Sequence, residues 1–232
     1  MLGMTEPLLP VRRGQRPDGQ ESRERLLLAA LRLFAQQGYA NTSIREIAQA
    51  AEANIGAISY YFGDKAGLYR AAFVEPFGDP SEHLARLQAP AASLTDTLRA
   101  YYQSCLAPLS QGDLAQQCLR LHFRELTDPT GLWSPEEIRA HVEPTHLALL
   151  QLVAQHLGMP LDQAQADDDL QHLAMSLDGL AAHLYVWREM IDVVRPSLLA
   201  TPEAVTACAD RLARQGAAML EAEAAHRGRS MQ

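Results

Sequence analysis

The sequence predicts an all-α fold, and three observations carry that expectation. No stretch alternates apolar and polar residues between Asn-Gly or Asp-Gly turns, as paired strands would. Apolar residues recur instead every three to four positions, the period of a helix face. The gaps between these runs hold Ser, Thr, Asp or Asn ahead of an acid, an amide or a proline, which are helix-start signals.

Composition is that of a globular chain, 47% hydrophobic and 21% charged over 232 residues. That length accommodates a small domain joined to a larger one. No apolar run approaches the roughly 18 residues of a membrane helix, and residues 1–19 lack the continuous apolar segment of a secretory signal. The expected setting is the cytoplasm, with no membrane partner. Cys105, Cys118 and Cys208 are far apart and odd in number, so reduced, buried thiols are expected rather than a disulfide framework. The formal charge is −8, unevenly placed: residues 1–72 carry nine basic and seven acidic groups, a net +2, against −10 for the remainder. Such asymmetry favours nucleic-acid contact by the positive part.

In chain order, Leu26, Leu27, Ala30, Leu33 and Phe34 set a first helix over about 21–37, stopped by Gly38. "SIRE" at Ser43–Glu46 is a capping box, with Ile44, Ile47, Ala48 and Ala51 on one face of a short second helix. Asn54 caps a third helix of about seven residues, and Gly63-Asp64 ends it and starts a fourth running from Lys65 to about Gln88. Gly78-Asp79-Pro80 offers a hinge inside that helix. Ser93, Asp113, Ser134, Asp167 and Thr201 then introduce helices over about 93–109, 114–126, 135–157, 167–190 and 202–225, with Pro144 expected to kink the third of these.

The second and third helices, joined by the turn Ala51–Asn54, make a helix-turn-helix whose second member would lie in the DNA major groove. That member is "NIGAISYYFGDK", Asn54–Lys65, and Lys65 is the one lysine of the sequence. Ile58 and Phe62 would face inward, leaving Ile55, Gly56, Ser59, Tyr60 and Tyr61 on or near the outer surface. Gly56 admits close backbone approach to a base edge, tyrosine hydroxyls reach phosphates, and Lys65 sits at a helix N-terminus suited to an anion. The expected organisation is a disordered basic tail over 1–19, a DNA-binding domain over 20–66 and a helical ligand-binding and dimerisation domain over 67–232. Arg12, Arg13 and Arg16 of the tail are candidates for a minor-groove arm, though a solvated tail is the commoner outcome.

The run "LLLAALRLFAQQGYANTSIREIAQAAEANIGAISYYFGDKAGLY" resembles the DNA-binding domain of TetR-family transcriptional regulators over about fifty residues. The resemblance implies that Thr42, Tyr60, Tyr61 and Lys65 touch phosphates, with Ile55, Gly56 and Ala57 nearest the bases. Ser43, the cap of the second helix, joins this set. Ser59 is a departure, since many members carry tyrosine there.

In the helix over 167–190, Leu170, Leu173, Leu177, Leu180, Ala181 and Leu184 form one stripe while Met175, Gly179, Val186 and Met190 lie off it, so a second partner is required. The last helix adds Val205, Cys208, Ala209, Leu212, Gly216, Met219 and Leu220, small enough in places for another helix to come close. A two-fold homodimer with a four-helix interface, reading a palindromic operator, is the expected assembly. "LRLHFRELTDPTGLWSPEEIRAHVEPTHLALLQLVAQHLG" is similar to the C-terminal domain of the CecR-type branch, which implies a repressor released by a small-molecule inducer of a toxic or aromatic kind. Polar groups set among apolar helix positions mark candidate ligand contacts: His122, Arg124, Glu125, Trp133, His146, His183, Tyr185 and Trp187. For each of them a bland role is also open, Arg124-Glu125 as an ion pair or His183 as a satisfied core or interface histidine.

Catalytic and cofactor motifs are missing, so neither an enzyme nor a cofactor is expected. His141 and His146 are five apart and lie on different helix faces, a poor metal pair, and Asp167-Asp168-Asp169 reads as an acidic helix start. The competing class is a helical interaction protein whose DNA-binding domain is degenerate at Ser59.

Overall fold

The computed structural model describes residues 17–77, 81–89, 91–110 and 112–230. Among the described residues every regular element is helical. The N-terminal part comprises α1 (Pro17–Asn41), α2 (Ile44–Ala50), α3 (Ile55–Phe62) and α4 (Lys65–Val74). The C-terminal part follows as α5 (Ser81–Gln88), α6 (Leu94–Leu106), α7 (Asp113–Thr127), α8 (Pro135–Leu157), α9 (Leu161–Gln165), α10 (Asp168–Val186), α11 (Arg188–Val194) and α12 (Pro202–Ser230). Among these residues no helix is long and apolar enough to cross a membrane.

The capping signals act as written. Ser43 Oγ accepts from Glu46 N–H while Glu46 accepts from Ser43 N–H, closing the box on α2 at 3.1 and 2.8 Å. Ser134 and Glu137 repeat that arrangement on α8, ahead of Pro135 at the first helical position. Asp167 accepts from Asp169 and Leu170 N–H at the start of α10. Asp113 is instead the first residue of α7, preceded by Gly112 at φ 94, and accepts from Gln117.

Several boundaries differ from expectation. α1 already includes residues 17–19 of the supposed tail, starting at Pro17, and Arg12, Arg13 and Arg16 lie outside the described residues. Gly38 breaks the helical dihedrals (φ 82, ψ 168), yet one further turn reaches Asn41. The fourth helix is not continuous to Gln88: α4 ends at Val74 and a 3-10 turn, Glu75–Phe77, follows, because Pro76 has no N–H to continue the ladder. The proposed hinge Gly78–Pro80 lies outside the described residues. α8 continues through Pro144 to Leu157. α10 gives way to α11 at Trp187 (φ −96, ψ 12), where no glycine or proline marks the change, and the short α9 was not foreseen.

Two apolar cores result. One joins Leu26, Phe34, Ile47 and Ile58 to Leu68, Tyr69, Ala72 and Phe73 of α4, so α4 packs with the N-terminal helices. Cys118 and Leu121 of α7 complete this core, which ties the two parts together. The other gathers Leu98, Tyr101 and Tyr102 of α6, Leu149 and Val153 of α8, Leu170, Leu177 and Leu184 of α10, and Leu212 and Leu220 of α12. A Cβ on Gly216 would meet Leu177, Tyr102 and Leu98 at 3.1 to 3.3 Å. The close helix approach read from α12 is therefore made to α6 and α10 of the same chain.

Candidate nucleic-acid interface and ligand cleft

The third helix is held by both ends and one face. Asn54 Oδ1 accepts from Gly56 N–H at 2.8 Å, Ile58 is buried, and Phe62 is half-buried beneath the Arg23 guanidinium, 4.9 Å from its ring centre. Ile55, Gly56, Ser59 and Tyr60 are exposed, Tyr60 by 77%. Ala57 and Tyr61 are half-buried against the N-terminal core. Tyr61 packs edge-on to Tyr60 with ring centres 4.9 Å apart, and its hydroxyl lies beside Gly19 at the start of α1.

The next turn is built on a glycine. Asp64 caps α4 by accepting from Gly67 N–H at 2.8 Å, and a Cβ on Gly67 would stand 2.0 Å from the Phe62 carbonyl oxygen. No side chain fits there, so Gly67 sets how closely α4 follows α3. This positions Lys65, whose ammonium lies 4.3 Å from the centre of the Tyr39 ring. Burial lowers the Lys65 pKa and nearby Glu46 opposes that shift. Tyr39 in turn packs edge-on to Tyr69 at 5.2 Å.

Two of the expected DNA contacts have internal roles. Thr42 is 1% exposed and its hydroxyl donates to Gly38 C=O at 2.7 Å, closing the end of α1, so the expected phosphate contact is corrected: that oxygen faces the interior. Ser43 is exposed, and its oxygen accepts the Glu46 N–H that caps α2, leaving its O–H to donate outward.

The eight ligand candidates do not share one pocket. His122 and Trp133 enter a seam between α4, α7 and α8. His122 stacks on Phe73 with centres 3.8 Å apart, and Trp133 and His141 approach the same phenylalanine at 4.9 and 5.6 Å. Burial pushes the His122 pKa down to about 4 and also lowers that of His141. Glu125 is no ion-pair partner of Arg124: it accepts from the Tyr69 hydroxyl at 2.6 Å and from the N–H and hydroxyl of Thr130 at 3.0 and 2.9 Å. Burial first, and then this carboxylate, raise the Tyr69 pKa far above its ordinary value. His146 pairs with Gln171 across α8 and α10 at 2.5 Å. His183 and Trp187 are both exposed, on the outside of α10 and at its end.

Arg124 and Tyr185 do meet, in a cleft of about 400 Å³ between α7, the end of α10 and α11. Its walls include Phe123, stacked on Tyr185 at 5.0 Å with the rings 14° apart, and the ion pair Arg120–Glu189 at 3.1 Å. The Tyr185 hydroxyl is anchored on the Cys105 carbonyl at 2.6 Å. Phe123, Arg120 and Arg188 were missed by sequence reasoning. An aromatic beside the flagged Arg124 was the available signal for Phe123, whereas Arg188 belongs to a helix start that no cap residue announced. Among the described residues no group of three His, Cys, Asp or Glu side chains is placed to hold a metal.

Two family models match separate parts of the chain. Residues 26–72 match the family described as bacterial regulatory proteins of the tetR family, and residues 94–222 match the C-terminal domain of the HTH-type transcriptional dual regulator CecR. CecR of Shigella flexneri is 30% identical over 151 residues, 60% of this chain and 66% of that protein. The probable regulator YttP of Bacillus subtilis is 33% identical over 106 residues, 46% of this chain and 51% of YttP. AcrR of Shigella flexneri reaches 47% over 57 residues, which is 25% of this chain and 26% of AcrR. The matches thus span between a quarter and about two thirds of these relatives. Among solved structures, native NalD of Pseudomonas aeruginosa, described as the secondary repressor of the MexAB-OprM multidrug efflux pump, gives a TM-score of 0.56 at 23% identity over 86% of this chain and 96% of NalD. A TetR-like regulator from Rhodococcus gives 0.57 at 18% over 85% and 96%. At these identities the structures speak for the fold.

Proposed function

Because the chain belongs to the TetR family of bacterial transcriptional regulators, with a C-terminal domain of the CecR type, we propose that this DNA-binding regulator is a homodimeric repressor, holding a palindromic operator and released by a small molecule. The observation that carries the reading is α3, whose inner face is closed by Ile58 while Ile55, Gly56, Ser59 and Tyr60 stand outward. In this reading Ile55, Gly56 and Ala57 lie nearest base edges, and Tyr60, Tyr61, Ser43 and Lys65 position the phosphates.

A second copy is supported by α10. Leu170, Leu177 and Leu184 face the core, whereas Met175 and Val186 are 64% and 51% exposed, and a Cβ on Gly179 would meet nothing within 4 Å. A helix with a second apolar face and a bare glycine suits two-fold packing. Recognition helices about 34 to 36 Å apart would then read half-sites one turn apart. The inducer binds between α7 and the end of α10 and must favour a geometry in which that spacing is lost.

The test is a footprint of the purified protein on the DNA flanking its own gene at two salt concentrations. The expected result is a protected palindrome whose binding constant falls with salt at a log–log slope near −0.9 per phosphate contacted. If neither that DNA nor any fragment in a genome-wide selection is bound, the head is degenerate and Ser59 is the first suspect. Met175→Arg is expected to yield monomers by light scattering; an unchanged dimer would move the interface off α10.

A further inference from the structure

We propose that the cleft between α7 and α10–α11 takes a planar aromatic carboxylate, and that Arg124 reports its arrival directly to α1. This rests on the ligand-released reading above and names the ligand class and the first contact of the signal. Of the cleft's arginines, Arg120 is paired with Glu189 and Arg188 with Asp192. Arg124 has no carboxylate partner among the described residues: its one hydrogen bond runs from Nη1 to the Gln36 carbonyl at 3.3 Å, and its Nε is buried without a partner. Asp128 also lines the cleft but is exposed to solvent and forms no ion pair with Arg124. A half-buried guanidinium with its donors so poorly used is matched by a carboxylate, which it holds through two parallel hydrogen bonds.

The rest of the cleft selects the body of the ligand. Phe123 and Tyr185 lie nearly parallel, so a flat ring can extend the stack, and about 400 Å³ suits a small molecule of one or two rings. On its other side Arg124 presses on the end of α1, where a Cβ on Gly38 would stand 2.8 Å from Nε. The Gly38 carbonyl accepts the Thr42 hydroxyl, the next residue caps α2, and Tyr39 lies under Lys65. A carboxylate that draws Arg124 into the cleft releases Gln36 and Gly38, and so loosens the corner on which α2 and Lys65 are seated.

The experiment is calorimetric titration of the full chain with 2-naphthoate and with the neutral 2-naphthamide at fixed ionic strength, followed by operator affinity with and without the acid. The acid is expected to bind on the order of tenfold or more tightly than the amide. Arg124→Met removes that preference, Arg139→Met on the exposed side of α8 preserves it, and Phe123→Leu weakens both compounds in proportion. Equal binding of the two, binding of neither, or a preference that survives Arg124→Met overturns the assignment. The acid–amide comparison in the unaltered chain decides the matter even if Arg124→Met fails to fold. Binding through Arg124 without loss of operator affinity would keep the cleft and overturn both its link to α1 and ligand release; no binding beside intact operator recognition would sink the cleft alone.

Discussion

On α3, Ser59 and Tyr60 stand in solvent and two caps satisfy the backbone at the ends, so the polar side chains are left for an outside partner. Between α4 and α7 the same residue types turn inward: Tyr69 is 1% exposed and donates to Glu125, and His122 is packed flat on Phe73. Polar residues among apolar ones thus stay open to solvent in one place and form a structural joint in the other. What separates them is whether a partner of complementary chemistry comes from elsewhere in the fold.

The largest effect expected is at the junction that presents α3. Gly67→Ala places a methyl against the Phe62 carbonyl, and a loss of about 3 kcal/mol or more is expected in urea unfolding. A stable variant would show that the α3–α4 corner yields easily. In the seam, Glu125→Ala strands the Tyr69 hydroxyl and Thr130 N–H, with an expected cost of about 2 to 3 kcal/mol by the same assay. A cost near zero would make the seam as permissive as the outer face.

Acid should act on the seam and spare the recognition surface. His122 titrates near 4 when folded, below its ordinary 6.5, because burial disfavours the charged ring. As pH falls below about 6.5 the unfolded chain takes the proton first, so stability drops until about pH 4, by about 2 kcal/mol at pH 5 relative to pH 7. His122→Phe, which keeps an aromatic ring against Phe73, should abolish that part of the slope; an unchanged slope would place the acid sensitivity elsewhere. The smallest effect is at Tyr60. Removing its exposed hydroxyl in Tyr60→Phe should leave unfolding unchanged and weaken operator binding by about 1 kcal/mol, read by fluorescence anisotropy.

The recognition head was largely legible because its signals are local. Ser43–Glu46, Asn54 and Asp64 each act within three residues, and the apolar period of α1 to α4 names the core face directly. The α10 stripe was legible for the same reason: Leu170, Leu177 and Leu184 are buried and Met175 is not. The seam was not. Tyr69 and Glu125 meet across 56 positions, and no spacing rule links them. Of the flagged residues, His122, Glu125 and His146 find their partners within this chain, His183 and Trp187 are exposed, and Arg124 and Tyr185 line the cleft. The end of α4 at Val74 is set by Pro76, a stop signal two residues ahead of the expected hinge at Gly78–Pro80.

The seat of Lys65 on Tyr39 also has an analytical use. Since the sequence contains one lysine, an acyl group that peptide mapping assigns to a side-chain amine reports on one known atom, distinct from the α-amine. Bound operator should shield that nitrogen, turning the modification rate into a gauge of occupied heads. An acetyl group there would cancel the charge over the Tyr39 ring, so acetylation of the one lysine would act at the corner where α4 begins.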